Sequence, residues 1–193
     1  MTEVNRKTKE TNIKCTLDTK GCGQSNIDTG IGFFDHMLEA LSKHSGIDLN
    51  IKCDGDLHID YHHSVEDCGI VLGQALKKEI FPIEAVERYG NATVVMDEAA
   101  VTCALDLSNR PYLVYELNVS GKVGQFDTEL VEEFFHALIM NAGITCHIIQ
   151  DRGRNKHHII EAAFKAVAVA LRRALVKNDK IGIPSTKGVL WLS

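Results

Sequence analysis

His-His-x-x-Glu stands twice in this chain, in DYHHSVED at residues 60–67 and in NKHHIIEA at 155–162, and the sequence around each copy repeats as well. With the two pairs superposed at a shift of 95, VLGQALKK at 71–78 lies over AVAVALRR at 166–173. Upstream, HMLEALSKHSGIDLNI at 36–51 lies over EFFHALIMNAGITCHI at 133–148 at a shift of 97, with five identities. Each unit reads as an amphipathic helix stopped by a glycine (Gly46, Gly143), a β segment, a loop, the histidine motif and a second helix. The β segments show in the period-two alternation of Ile47, Leu49 and Ile51 and of Ile144, Cys146 and Ile148.

A repeated helix–strand–helix unit cannot bury its apolar face alone, so two copies must share one core. The expected fold class is α+β: internally duplicated half-domains, each a sheet covered by helices, related by a pseudo-twofold. The halves span roughly 6–90 and 91–190 of a single domain covering 1–193. Further strand-like runs are 91–108 and 112–121, and VNRKTKETNIKCTLD reads as an opening strand. The tail IGIPSTKGVLWLS is loop-like.

A formal charge of −5 with both signs interspersed argues against a nucleic-acid surface or an anionic membrane as partner. MTEVNRKTKE has no apolar core of the kind a signal peptide needs and no apolar run approaches the length of a membrane span, so the chain is expected to be cytoplasmic. None of the six cysteines forms a C-x-x-C pair, so they are expected as reduced, buried small residues.

On a helix, residues four apart share a face, so His62 and Glu66 can grip one ion, as can His157 and Glu161. The adjacent histidine is turned by about 100° and must serve elsewhere. If the two motifs face each other, His62, Glu66 and His158 meet at one metal, and His157, Glu161 and His63 at the other. His36 and Glu133 hold equivalent places ten residues before the helix-ending glycines, which adds His36 to the second set and Glu133 to the first. Nitrogen and oxygen donors without thiolate favour Mn²⁺, with Fe²⁺ or Co²⁺ as substitutes, over a closed tetrahedral zinc site. Plainer readings stand beside this one: a lone His-His on a polar face is solvated, Asp35-His36 suits a helix start, and Glu129, Glu132 and Glu133 suit a solvated first turn. His44, His58, His136 and His147 lack partners at ligand spacing.

GFFDHMLEALSKHSGIDL, DLHIDYHHSVEDCGIVLGQAL, NAGITCHI, NKHHIIEAAFKAVAVALR and IPSTKGVL resemble the imidazoleglycerol-phosphate dehydratase family of histidine biosynthesis, from about Arg6 to Leu190. The resemblance implies an enzyme with two Mn²⁺ per active site that dehydrates D-erythro-imidazole glycerol phosphate to imidazole acetol phosphate. It also implies a homo-oligomer of 24 subunits with active sites between subunits. Its metal ligands fall on His36, His62, His63, Glu66, His157, His158 and Glu161; several members carry histidine where this chain has Glu133, and the repeat supports a carboxylate substitute there. Catalytic candidates by this resemblance are Glu10, Glu161 and His36. Substrate-binding candidates are Glu10, His36, His62, Glu66, Arg88, Arg110, His157, Lys165, Ser185, Thr186 and Lys187, the cationic ones serving the phosphate. By residue type alone Glu10 suits a solvent-facing strand and Lys165 a plain surface lysine.

The proton to be removed is not acidic until the imidazole ring has expelled the neighbouring hydroxyl, which a metal-bound imidazolate passing to a diazafulvene would do. A carboxylate then takes the proton, and the resulting enol becomes the ketone. Which carboxylate is acid and which is base stays open. A binuclear metallohydrolase would use the same ligands with a bridging hydroxide, whereas a ferritin-like metal store would be helical throughout.

Overall fold

Strand and helix periods alternate along the chain, and the two kinds of segment settle into sheets and covering helices. The structure, a computed structural model, describes residues 1–188; the closing VLWLS of the loop-like tail lies outside the described residues. In order, the elements are β1 (Thr2–Lys7), β2 (Thr11–Asp18), β3 (Ser25–Asp28), α1 (Gly32–Ser45), β4 (Asp48–Gly55) and α2 (His62–Ile80). These are followed by β5 (Tyr89–Met96), β6 (Ala99–Asp106), β7 (Tyr112–Glu116), a short hairpin β8 (Lys122–Val123) and β9 (Phe126–Asp127), α3 (Leu130–Ala142), β10 (Thr145–Arg152) and α4 (Lys156–Ala174).

The first sheet runs β1-β2-β4-β3 and the second β5-β6-β10-β7. In both, the last strand alone is parallel to its neighbour: β3 to β4 and β7 to β10. The same order and the same senses in both sheets are the duplication in three dimensions. One face of each sheet is covered: Ile13, Cys15 and Leu17 of β2, and Leu49, Ile51 and Cys53 of β4, are buried while Asn50 and Lys52 face out. Each helical unit therefore lies on its own sheet and against its opposite number, α1 packing on α4 and α2 on α3.

The core ties the halves together. Phe34 of α1 meets Phe134 of α3 edge-on with centroids 5.2 Å apart, and Phe134 stacks on Phe164 of α4 at 5.3 Å. Between α2 and α3 the approach needs glycine: a Cβ on Gly69 would come within 2.8 Å of Phe134 O, and one on Gly73 within 2.5 Å of Leu138 O. Gly46 and Gly143 end α1 and α3 in the left-handed region, at φ 75° and 72°, a conformation that a Cβ disfavours.

Two strand readings need correction. VNRKTKETNIKCTLD is a hairpin and not one strand, because the Thr8 hydroxyl accepts from the amides of Glu10 (3.1 Å) and Thr11 (3.0 Å) and turns the chain where no glycine or proline marks it. The run at 91–108 is likewise a hairpin, β5–β6, turning at Asp97-Glu98 with Asp97 at φ 47°. Of 112–121 only β7 is strand; the chain then detours through β8–β9 before α3. The two sheets exclude the all-helical metal store. Among the described residues no helix is long and apolar enough to cross a membrane. Cys22 is exposed, the other five cysteines are buried, and all six are free thiols.

Candidate metal centre

The Asn155 side chain caps α4, its oxygen accepting from the amides of His157 (3.0 Å) and His158 (3.4 Å). That fixes both histidines in the first turn, with Glu161 one turn on. His157 Nε2 lies 3.0 Å from Glu161 Oε2. Packing of α1 on α4 brings His36 Nε2 to 3.6 Å from the same oxygen. Donor atoms of His36, His157 and Glu161 all lie within 4.8 Å of one another, the one group of three or more ligand-type side chains among the described residues that does so. The Phe33 ring meets the His157 imidazole edge-on, centroids 5.2 Å apart.

The Glu161 side chain is only 8% exposed, and Lys165 Nζ sits 2.7 Å from its Oε1. Burial pushes this carboxyl up, but the Lys165 ammonium and the His157 hydrogen bond outweigh it and hold the group below the ordinary glutamate value. Two imidazole nitrogens converging on a buried, ionised carboxylate are the donor set that suits a divalent ion of the manganese type.

The α2 copy is more open. Asp60 accepts from the His62 amide at 2.8 Å, and His62 Nε2 stands 3.7 Å from Glu66 Oε2, both side chains exposed. Glu133, half-buried in the first turn of α3, lies outside any such group of three among the described residues. Neither His63 nor His158 completes the opposite clamp within one chain.

Those two histidines have carboxylate partners of their own. His63 Nδ1 is 3.0 Å from Asp56 Oδ2, and its Nε2 is 3.8 Å from Glu10 Oε1. His158 Nδ1 is 2.8 Å from Glu98 Oε2, and its Nε2 is 3.8 Å from Asp97 Oδ2. The other Glu98 oxygen accepts from the amides of Arg154 (3.0 Å) and Asn155 (2.7 Å). Hydrogen bonds donated to Asp56 and to Glu98 raise the His63 and His158 values above the ordinary histidine value. His158, with the Asn155 and Arg154 amides, holds Glu98 down at about 2. Asp56, Asp97 and Glu98 were not singled out by spacing. The sheet order, and not the sequence repeat, shows that Glu98 occupies the β5–β6 turn where Glu10 occupies the β1–β2 turn.

The cationic candidates gather elsewhere in the fold. Arg88, at φ 70° and nearly buried, donates to both Asp106 oxygens (2.7 and 3.0 Å) and through Nη1 to Pro184 O (2.6 Å). Asp106 thereby holds the guanidinium firmly cationic. Arg110 Nη2 is 4.0 Å from Asp106 Oδ2, with its side chain in solvent. The Arg88–Pro184 bond anchors the loop that carries Ser185, Thr186 and Lys187, where the Lys187 amide donates to Ser185 Oγ at 3.2 Å. Lys165 stands apart from this group, on Glu161.

Comparison with known proteins places relatives around this arrangement. The family model described as imidazoleglycerol-phosphate dehydratase matches residues 29–171. Imidazoleglycerol-phosphate dehydratase of Aliarcobacter butzleri is 82% identical over 190 residues, covering 98% of this chain and all of that protein. That of Sulfurimonas denitrificans is 65% identical over the same coverage. Among solved structures, the Staphylococcus aureus enzyme superposes with TM-score 0.81 at 44% identity, covering 91% of this chain and 98% of that one. The Pyrococcus furiosus enzyme in complex with (S)-C348 gives 0.84 at 38% identity, covering 97% and 100%.

Proposed function

The chain belongs to the imidazoleglycerol-phosphate dehydratase family, and from that premise we propose that it dehydrates its substrate at a pair of Mn²⁺ ions shared between subunits. It is a hydro-lyase of histidine biosynthesis. The observation that carries the metal reading is the convergence of His36, His157 and Glu161 from both repeat units on one point.

In this reading one ion is held by His36, His157 and Glu161 and completed by His63, the other by His62, Glu66 and Glu133 and completed by His158, the lone histidine coming in each case from a second copy. Exposed apolar side chains stand close by in the chain, Ile59 four residues before His63 and Val95 (72% exposed) in the strand that leads to the β5–β6 turn, and such surface suits a subunit interface. We take the assembly to be the 24-subunit form that the sequence resemblance implies. The setting is cytoplasmic, in keeping with six free thiols, and the acidic net charge leaves a small phosphorylated imidazole, not nucleic acid or membrane, as partner.

Ions bound at these clusters would draw electron density from imidazole nitrogens and so favour the ionised ring that pushes the hydroxyl off the adjacent carbon. The protein's own groups do the rest. Arg88 and Arg110, set by Asp106, and the Ser185–Lys187 loop hold the phosphate. Glu10, exposed at the tip of the β1–β2 turn and 3.8 Å from His63, takes the proton of the neighbouring carbon. Glu161, kept ionised by Lys165, holds the imidazoles of His36 and His157 in place. Hydroxide and proton leave as water and the enol relaxes to the ketone.

The test is formation of imidazole acetol phosphate before chelation, after it, and after Mn²⁺ is returned. Loss and recovery of turnover are expected. Full turnover by metal-free protein would overturn the metal reading, and release of inorganic phosphate in place of the ketone would favour the hydrolase alternative.

A further inference from the structure

The duplication is nearly complete around the metal motifs, yet the two lone histidines are held by carboxylates from different places. Asp56, which meets His63, lies in the six-residue loop between β4 and α2. The equivalent loop between β10 and α4 is three residues long, Gly153-Arg154-Asn155, and has no acid in it. His158 instead takes Glu98 from the β5–β6 turn. In the first half the matching turn carries Glu10, which faces the other nitrogen of His63.

A neutral imidazole has one protonated nitrogen, and a carboxylate accepting at Nδ1 fixes the proton there and leaves the Nε2 lone pair for a cation. We propose that Asp56 and Glu98 are positioning residues, each locking one lone histidine, His63 or His158, with Nε2 outward so that it completes a metal site on a second copy of the chain. This rests on the two-metal reading above and adds a division of labour that the repeat alone does not give. The second loop is shorter and carries no acid, and at His158 it is Glu98 that meets Nδ1. Glu98 is spent in doing so, with one oxygen on His158 and the other on two backbone amides. Glu10 and Asp97, each 3.8 Å from the Nε2 of its histidine, are not used in this way.

The experiment counts Mn²⁺ per subunit in the assembled enzyme across a series of buffered free Mn²⁺ concentrations. Wild type is expected to bind two ions. Asp56→Ala and Glu98→Ala are each expected to weaken one ion by about 10- to 100-fold, so that each retains one where wild type holds two, and the double variant none. Because Glu98 also holds the start of α4, Glu98→Gln is measured beside it. Its amide oxygen can keep the Arg154 and Asn155 amides while its NH₂ faces His158 Nδ1 and forces the proton onto Nε2, so the same ion is expected to be lost with the fold intact. Two ions at wild-type affinity in the single variants would overturn the inference, as would one ion retained by the double variant, which would mean that both carboxylates serve one site. Lowered thermal stability with unchanged stoichiometry would reduce them to structural groups and overturn it as well. A wild-type protein that binds no Mn²⁺ overturns the two-metal reading itself, and this inference with it.

Discussion

His36 Nε2 and Glu161 Oε2 stand 3.6 Å apart, one on a helix of the first repeat unit and one on a helix of the second. Neither half of the chain can assemble that cluster alone, so the packing of α1 on α4 is a condition of the site as much as of the core. Glu161→Gln keeps the volume and removes the charge. It is expected to leave the fold intact, release one Mn²⁺ per subunit and lower kcat by about 10²- to 10⁴-fold. Metal analysis and steady-state kinetics on the same preparation check it, and full activity with both ions retained would contradict it.

Lys165 tests a different property of the same carboxylate. Its ammonium is 2.7 Å from Glu161 Oε1, with side chains 23% and 8% exposed. Lys165→Met is expected to leave a buried charge short of a partner and to destabilise metal-free protein by about 1–3 kcal/mol. The loss should be smaller with Mn²⁺ bound, because the ion then supplies the missing positive charge. Urea unfolding with and without the metal measures both; equal losses in the two states would assign Lys165 no role at the carboxylate.

Much of this was legible in the sequence because duplication prints the same signals twice. Gly46 and Gly143 mark helix ends by their backbone requirement, and the alternation in β4 and β10 marks the faces that lie on the helices. The clamp geometry of His157 with Glu161 follows from helical periodicity alone. The turn at Thr8 was not legible, since a threonine hydroxyl replaces the glycine or proline that announces a turn. Asp56 and Glu98 were not legible either: each sits in a loop, and Glu98 finds His158 only because β5–β6 bends back to the start of α4. Glu133 shows the limit of the repeat, which gives it the place of His36 but not a cluster of three within the chain.

The contact between α2 and α3 depends on two glycines. A methyl on Gly73 would lie 2.5 Å from Leu138 O, which is backbone and cannot turn aside. Gly73→Ala is expected to cost about 1–3 kcal/mol by overpacking and to lower Tm accordingly. Gly32, at the start of α1 with nothing within 4 Å of a Cβ, is the control, and Gly32→Ala is expected to be near neutral. Equal effects of the two would show that the helices do not approach as closely as described.

Glu79 gives the pH dependence of stability a defined origin away from the His36, His157 and Glu161 cluster. Burial raises its carboxyl, but hydrogen bonds from Thr2 Oγ1 (2.6 Å) and Thr19 Oγ1 (3.2 Å) and the Met1 amino group bring it to a net value below the ordinary 4.5. A carboxyl lowered on folding adds stability that is present above the unfolded value and is lost as pH falls through the folded one. Glu79→Gln is therefore expected to be less stable than wild type above pH 4.5, with the difference shrinking in more acid solution. Denaturant titrations from neutral pH down to acid measure it; a difference that grew as pH fell would reverse the assigned sign.

The central claim is that the clamp of one repeat unit and the lone histidine of the other meet at two cations across a subunit boundary. Diffraction from Mn²⁺-loaded crystals at the manganese absorption edge tests it most directly. The account expects two anomalous peaks per subunit, one against His36, His157 and Glu161 with His63 of a second copy, the other against His62 and Glu66 with His158 of a second copy. A single peak, or two peaks whose protein ligands all come from one chain, would contradict it.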